Sequence, residues 1–126
     1  MSPATWLAFI IGAGLGAPAR YLVDTAVQAR TSGEQPRGTL VVNAAGSLIL
    51  GIVVGLTANR DLPAALEVII GTGFCGALTT FSTFAFKTVR LLEQGAVSDA
   101  IKNVALSTGV TFALAAIGFA AATNWP

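Results

Sequence analysis

The chain has 126 residues, 54% hydrophobic and only 10% charged, with a net charge of +1 and a mean hydropathy of +0.75. Soluble domains carry about 25% charged residues, so this composition excludes an ordinary soluble domain, and it offers no basic cluster for nucleic acid. One cysteine and no histidine exclude an intrachain disulfide and histidine-based proton chemistry, and argue against a transition-metal site.

The charges are segregated. Residues 1–19, 38–59, 68–86 and 103–126 carry no Asp, Glu, Lys or Arg, and each run is close to the ~20 residues a helix needs to cross a bilayer. We therefore expect an all-α membrane protein of four transmembrane helices, forming one domain over residues 1–126. No Lys or Arg precedes the first run, so the basic start of a signal peptide is missing. That run reads as the first helix of the mature protein.

Helix 1 is expected from about Ala4 to Val27. Gly12 and Gly16 form a GxxxG pair suited to close helix approach. Arg20 and Tyr21 follow; Arg20 reads either as an interfacial anchor or as a functional residue. Residues 31–37 form a polar turn. Helix 2 follows from about Gly38 to Ala58, with Asn43 and Ser47 on one face and a second GxxxG at Gly51 and Gly55. Asn59 to Pro63 is the next turn.

The third segment, about Ala64 to Leu92, holds the densest signal in the chain. Gly71, Gly73 and Gly76 precede the hydroxyl and phenyl run Thr79-Thr80-Phe81-Ser82-Thr83-Phe84. Glycine weakens a helix, and irregular backbone at membrane depth is tolerated only where protein or a wet cavity receives it. The glycines predict a break in this helix between about Gly73 and Thr79. Gly95 to Asp99 is a third turn, with Ser98 or Asp99 as a candidate cap. Helix 4 is expected from about Ala100 to Ala122, with Asn103, Ser107 and Thr111 as a polar stripe.

What these helices offer inside the membrane is neutral. Asn43, Ser47, Thr79, Thr80, Ser82, Thr83, Ser107 and Thr111 can donate hydrogen bonds without carrying charge. Neutral donors can replace the hydration shell of an anion without trapping it. Phe81 and Phe84 lie three apart, on one helix face, and a phenyl ring has a positive edge. Each feature also has a plain structural reading. Two phenylalanines at this spacing often only pack, and a buried Asn often joins helices. Hydroxyls often bond their own helix, and Cys75 reads as a small packing residue. A helix break also frees carbonyls, and two copies meeting at a break can make an oxygen site for Na⁺.

Three strings together resemble the signatures of the Fluc (CrcB-type) bacterial fluoride channels: GAGLGAPARY at 12–21, GTLVVNAAGSLILG at 38–51 and GTGFCGALTTFSTF at 71–84. The third is the most specific, and the resemblance covers essentially the whole chain. It implies an antiparallel, dual-topology homodimer with two fluoride pores in the bacterial inner membrane. It implies that Asn43, Phe81, Phe84, Ser82 and Thr83 line the pore, with Ser107 and Thr111 as a polar track on helix 4. It places Arg20 at a vestibule, and a structural Na⁺ on the backbone carbonyls of Gly76 and Thr79. The chain departs from the family at Lys87, where an acidic residue is common, and at Leu48, where Phe is common.

The leading expectation is a passive channel exporting cytoplasmic fluoride and conferring fluoride resistance. The alternative is a small multidrug-type proton-coupled exporter, which needs a membrane-embedded glutamate in helix 1. The only acidic residue near that helix is Asp24, towards its end. A non-transporting scaffold explains neither the phenyl-hydroxyl run nor Asn43. An enzyme is the least expected class, because no nucleophile–base pair or metal constellation is present. Arg20, Arg30, Arg37, Lys87, Arg90 and Lys102 fall on one side and Arg60 alone on the other. That bias favours one orientation, so pairing with an oppositely oriented relative stands beside the homodimer as an expected assembly.

Overall fold

The computed structural model describes residues 1–33 and 35–126. Glu34, within the expected turn over 31–37, lies outside the described residues. Four helical spans are long and apolar enough to cross a membrane: Pro3–Arg30, Arg37–Asn59, Ala64–Glu93 and Val97–Thr123. Every regular element among the described residues is helical.

Helix α1, Pro3–Arg30, starts at Ser2, whose Oγ accepts from the Thr5 N–H at 3.2 Å, with Pro3 in the first helical position. Pro18 sits inside α1 without ending it. At 28 residues α1 is about 42 Å long, more than the ~30 Å apolar layer, so it tilts or protrudes. Helix α2 is Arg37–Asn59.

The third span is composite. An α-helical turn, Ala64–Leu66, widens into a π-helix over Glu67–Cys75 and closes as Gly76–Leu78; together these form α3. The chain then leaves the helix at Thr79, whose φ of −82° and ψ of 160° are extended. Helix α4, Ser82–Glu93, resumes the span. Gly71, Gly73 and Gly76 are not the non-helical residues. The positive-φ glycines are Gly33 and Gly95.

The glycines act by close approach. A Cβ at Gly12 would lie 2.8 Å from the Ile69 carbonyl oxygen, and one at Gly16 would collide with the Phe74 carbonyl oxygen. One at Gly73 would lie 3.0 Å from the Phe9 carbonyl oxygen. The widened turns of α3 thus press their backbone against α1 through mutual glycines.

Gly95, at φ 77°, ends α4 in a Schellman turn: Ala96 N–H donates to Leu91 O at 2.8 Å and Gly95 N–H to Leu92 O at 3.0 Å. This turn leads directly into helix α5, Val97–Thr123. Neither Ser98 nor Asp99 caps α5 as expected, since both lie inside its first turn. Asp99 Oδ1 instead accepts from Gln35 Nε2 at 3.1 Å, tying the first turn to α5.

Packing centres on α2. Gly51 meets the Ala115 backbone of α5, and Gly55 meets Phe119 and Ala122. In return, a Cβ at Gly118 would lie 2.6 Å from the Leu48 carbonyl oxygen. The turns before α2 and before α5 share one end of the bundle through Gln35 and Asp99. At the other end Asn59 Nδ2 donates to Thr123 O at 2.6 Å and Arg60 Nη2 to Pro126 O at 2.7 Å. Large apolar side chains such as Leu7, Ile10, Leu15 and Leu22 of α1 point outward, as they do in a helix facing hydrocarbon. The chain is a multi-pass membrane protein.

Gly51→Val or Gly16→Val should destabilise the fold by several kcal/mol, at or above the ~1–3 kcal/mol typical of overpacking, because backbone is the obstacle. Gly14→Ala, where nothing lies within 4 Å, should be neutral or stabilise by up to about 1 kcal/mol. Thermal unfolding of the purified variants in detergent measures both.

Candidate functional site

A cleft of about 670 Å³ runs along one flank of the bundle. Helix α2 contributes Asn43, Gly46, Ser47 and Leu50; α3 contributes Gly71, Thr72, Cys75 and Gly76. The strap Thr79, Thr80 and Phe81 crosses it with Phe84 of α4, and Ser107, Thr108, Thr111 and Phe112 of α5 form the far wall. No charged side chain stands among these lining residues.

The strap interrupts a membrane-length span, and Asn43 satisfies its backbone. Thr80 N–H donates to Asn43 Oδ1 at 2.7 Å, and Asn43 Nδ2 donates to Thr80 O at 3.0 Å. A carboxamide carries two N–H donors, so one hydrogen of Nδ2 remains beyond this clamp. Gly46, one turn along α2, has no side chain because a Cβ there would collide with the Thr79 methyl. Asn43 and Gly46 therefore seat the strap together.

Thr80 starts the next helix. Its Oγ1 accepts from Thr83 N–H at 3.2 Å, a capping bond, and lies 3.1 Å from Thr83 Oγ1 and 3.3 Å from Ser82 Oγ. Ser82 and Thr83 thus gather around Thr80 beside the cleft and are not among its lining residues. Phe81 and Phe84 do line it, with ring centroids 5.6 Å apart and planes inclined at 50°. Phe81 is 79% exposed, so it stands at the open side of the cleft, while Phe84 is half-buried.

On α5 the hydroxyls of Ser107 and Thr111 bond along the helix. Thr111 Oγ1 donates to Ser107 O at 2.6 Å, and Ser107 Oγ lies 3.5 Å from Asn103 Oδ1. Asn103 Nδ2 donates to Thr88 Oγ1 at 2.8 Å, and Thr88 Oγ1 to Phe84 O at 2.8 Å. This chain of bonds joins the α5 stripe to α4. Thr88 and Asn103 are not among the site residues expected from the sequence. The i, i+4 stripe through Asn103 was its only signal, and the partner across the helices is visible only in three dimensions.

Arg20 does not line the cleft. Its Nη1 donates to Thr79 O at 3.3 Å, reaching the strap from α1. Thr79 Oγ1 turns back to Cys75 O at 2.8 Å. Because Thr80 N–H goes to Asn43, it does not serve the Gly76 carbonyl four residues earlier. Gly76 and Thr79 therefore end α3 with carbonyls released from helical bonding. Among the described residues no group of three or more His, Cys, Asp or Glu is placed to hold a metal ion, so any cation here would be held by neutral oxygens.

The profile described as "CrcB-like protein, Camphor Resistance (CrcB)" matches residues 7–119. The chain is 47% identical over 116 residues to the "Fluoride-specific ion channel FluC 1" of Nocardia farcinica, covering 92% of this chain and 78% of that one. It is 47% identical over 122 residues to the protein of the same name in Frankia casuarinae, covering 93% and 95%. It is 41% identical over 120 residues to the "Fluoride-specific ion channel FluC" of Pyrococcus abyssi, covering 94% and 96%.

Asn43→Ala removes both partners of Thr80 at once. It should cost about 1–3 kcal/mol per polar group left unpaired, whereas Thr80→Ala, which removes only the cap, should cost about 1 kcal/mol. Thermal unfolding of the two variants decides the order. Equal losses would mean that the clamp adds nothing beyond the cap.

Proposed function

Because this chain belongs to the CrcB-like family, we propose that it is a passive fluoride channel and that the charge-free cleft is one wall of its conduction path. It is not an enzyme, since the relatives it matches carry the name of a channel. The observation that carries the reading is the meeting of Asn43, Phe81, Phe84, Ser107 and Thr111 in one cleft without a charged side chain in its lining. A coupled exporter needs a buried carboxylate, and this lining supplies none.

A small anion leaving water needs donors, and the cleft supplies them without a fixed charge. The spare hydrogen of Asn43 Nδ2 is one. Thr111 and Ser107 are conditional donors, because their hydroxyl hydrogens bond within α5 or to Asn103. Each must rotate to face an ion, giving up a bond worth about 0.5–1.5 kcal/mol net. That exchange lets the ion be held weakly enough to leave, as conduction requires. The ring edges of Phe81 and Phe84 add weak positive potential and keep the passage narrow and dry. Fluoride then leaves the cytoplasm down its electrochemical gradient, conferring fluoride resistance without ATP or proton coupling.

The cleft opens sideways, where hydrocarbon would leave its hydroxyls unpaired. A second chain closing it makes two equivalent paths per dimer, and we assign the chain to an antiparallel homodimer in the inner membrane. Pairing with an oppositely oriented relative is the other assembly, favoured by the Lys and Arg bias. The released carbonyls of Gly76 and Thr79 fit a hard cation such as Na⁺, which takes neutral oxygen ligands. Thr79 O keeps one lone pair free beside its bond from Arg20. Na⁺ bound there would join the α3 ends of two copies.

Purified protein in liposomes should pass fluoride and exclude chloride, read with ion-selective electrodes. Equal flux of both ions, or none of either, ends this proposal. Phe81→Ile and Phe84→Ile should each lower fluoride flux about tenfold or more, equivalent to ~1.4 kcal/mol on the barrier, while size-exclusion chromatography shows the same assembly. Replacing Na⁺ by a large organic cation throughout purification should likewise abolish flux. Unchanged flux in its absence removes the Na⁺ assignment alone.

A further inference from the structure

Helix α4 carries Phe84 of the phenyl wall and follows directly on Phe81, yet it buries only Leu91 and leaves Phe86, Val89 and Leu92 exposed. Little apolar packing fixes its rotation or its height. Polar ties do this instead: Thr80 to Asn43 of α2 at its start, Thr88 to Asn103 of α5 on one flank, and Lys87 on another. Lys87 Nζ lies 3.4 Å from both Asp24 carboxylate oxygens of α1 and 2.8 Å from Thr39 Oγ1 of α2. Among the described residues this is the one ion pair that links different helices.

The receiving end is closely packed. A Cβ at Gly38 would collide with the Asp24 carboxylate and would lie 2.9 Å from its Cα, so α1 and α2 meet in close contact there. Thr39 beside it is 2% exposed. Lys87 reaches into this junction from α4, and its three donors match a carboxylate and a hydroxyl. The pair is half-shielded, with side-chain exposures of 29% and 26%, where attraction between charges exceeds its value in open water. The other charged side chain near Lys87 on its own helix is Arg90, one turn on. Lys87 is also one turn from Phe84, at i+3 on the same face. Fixing Lys87 therefore fixes the rotation of α4 and the direction of Phe84.

We propose that Lys87 is a positioning residue of the conduction path: tied to Asp24 and Thr39, it locks α4 in the rotation that presents Phe84 to the cleft. Lys87 is then a strut rather than an anion-collecting charge, since its ammonium is already matched by a carboxylate. The flux arm of the test rests on the fluoride-channel reading, while the stability arm does not.

The test is a double-mutant cycle on the purified full chain, reading fluoride efflux from liposomes and thermal unfolding in detergent. Lys87→Met and Asp24→Asn should each lower flux about fivefold or more, and the double variant should be no worse than either, as coupled neighbours behave. Lys87→Arg and the exchanged pair Asp24→Lys/Lys87→Asp should recover most of the flux. Unfolding midpoints should show the same non-additivity. Additive midpoints, or full flux in Lys87→Met, overturn the proposal. So does a folded exchanged pair as poor as Lys87→Met, because the cation itself would then be needed at position 87. If Lys87→Met does not fold, Asp24→Asn with Lys87→Arg decides: loss in the first and retention in the second support the tie, and any other result overturns it. Coupled midpoints with a wild-type chain that passes no fluoride uphold the tie and reject the channel reading.

Discussion

Thr80 presents an N–H and a C=O to the interior of a membrane protein outside any helix, and the carboxamide of Asn43 answers both, at 2.7 and 3.0 Å. In hydrocarbon each such group left alone costs several kcal/mol. The clamp therefore sets where the third span can leave the helix. Everything around it is arranged to permit the same excursion. Gly46 clears space for Thr79, Thr80 caps α4, and Arg20 takes up the Thr79 carbonyl. Together they let α4 restart with Phe81 and Phe84 lining the cleft.

The π-helical stretch Glu67–Cys75 belongs to the same arrangement. A wider turn brings the carbonyls of Ile69 and Phe74 up to α1, and only Gly12 and Gly16 admit them. On the opposite side of α2, Gly51, Gly55 and Gly118 bring α5 equally close. Without a hydrophobic drive between helices in lipid, such close contact is a main source of association. Apolar packing thus holds α1, α2, α3 and α5. Polar contacts hold the strap and α4, where regular backbone is lost.

The chemistry of the cleft follows from that division. A wall made by rigid helices can carry neutral donors at fixed spacing. A strap released from helical bonding can expose carbonyls and rings that a continuous helix would turn elsewhere. Asn43 has a structural duty, holding Thr80, and a donor left over for the cleft. The structural and functional readings of this residue are therefore compatible, because a carboxamide has more hydrogen-bonding capacity than the clamp uses.

The sequence alone determined four membrane-length helices, since each charge-free run matches the thickness of a bilayer. It also determined the glycine contacts at Gly12, Gly16, Gly51 and Gly55, and a neutral rather than ionic set of buried polar groups. These are properties of composition and short-range spacing. Only the tertiary structure decided that Thr79 to Phe81, and not the glycines before them, leave the helix. It also placed Ser82 and Thr83 around Thr80, put Arg20 behind the strap, and recruited Thr88 and Asn103. Lys87, one of two departures from the family pattern in the sequence, became half of a pair only when α1 and α4 were brought together. The physical reason is the same for the contacts between helices. Apart from the local turn that gathers Ser82 and Thr83 at Thr80, these assignments rest on hydrogen bonds and charges between residues some 15 to 63 positions apart, and the periodicity of one helix contains no information about its partner across the bundle.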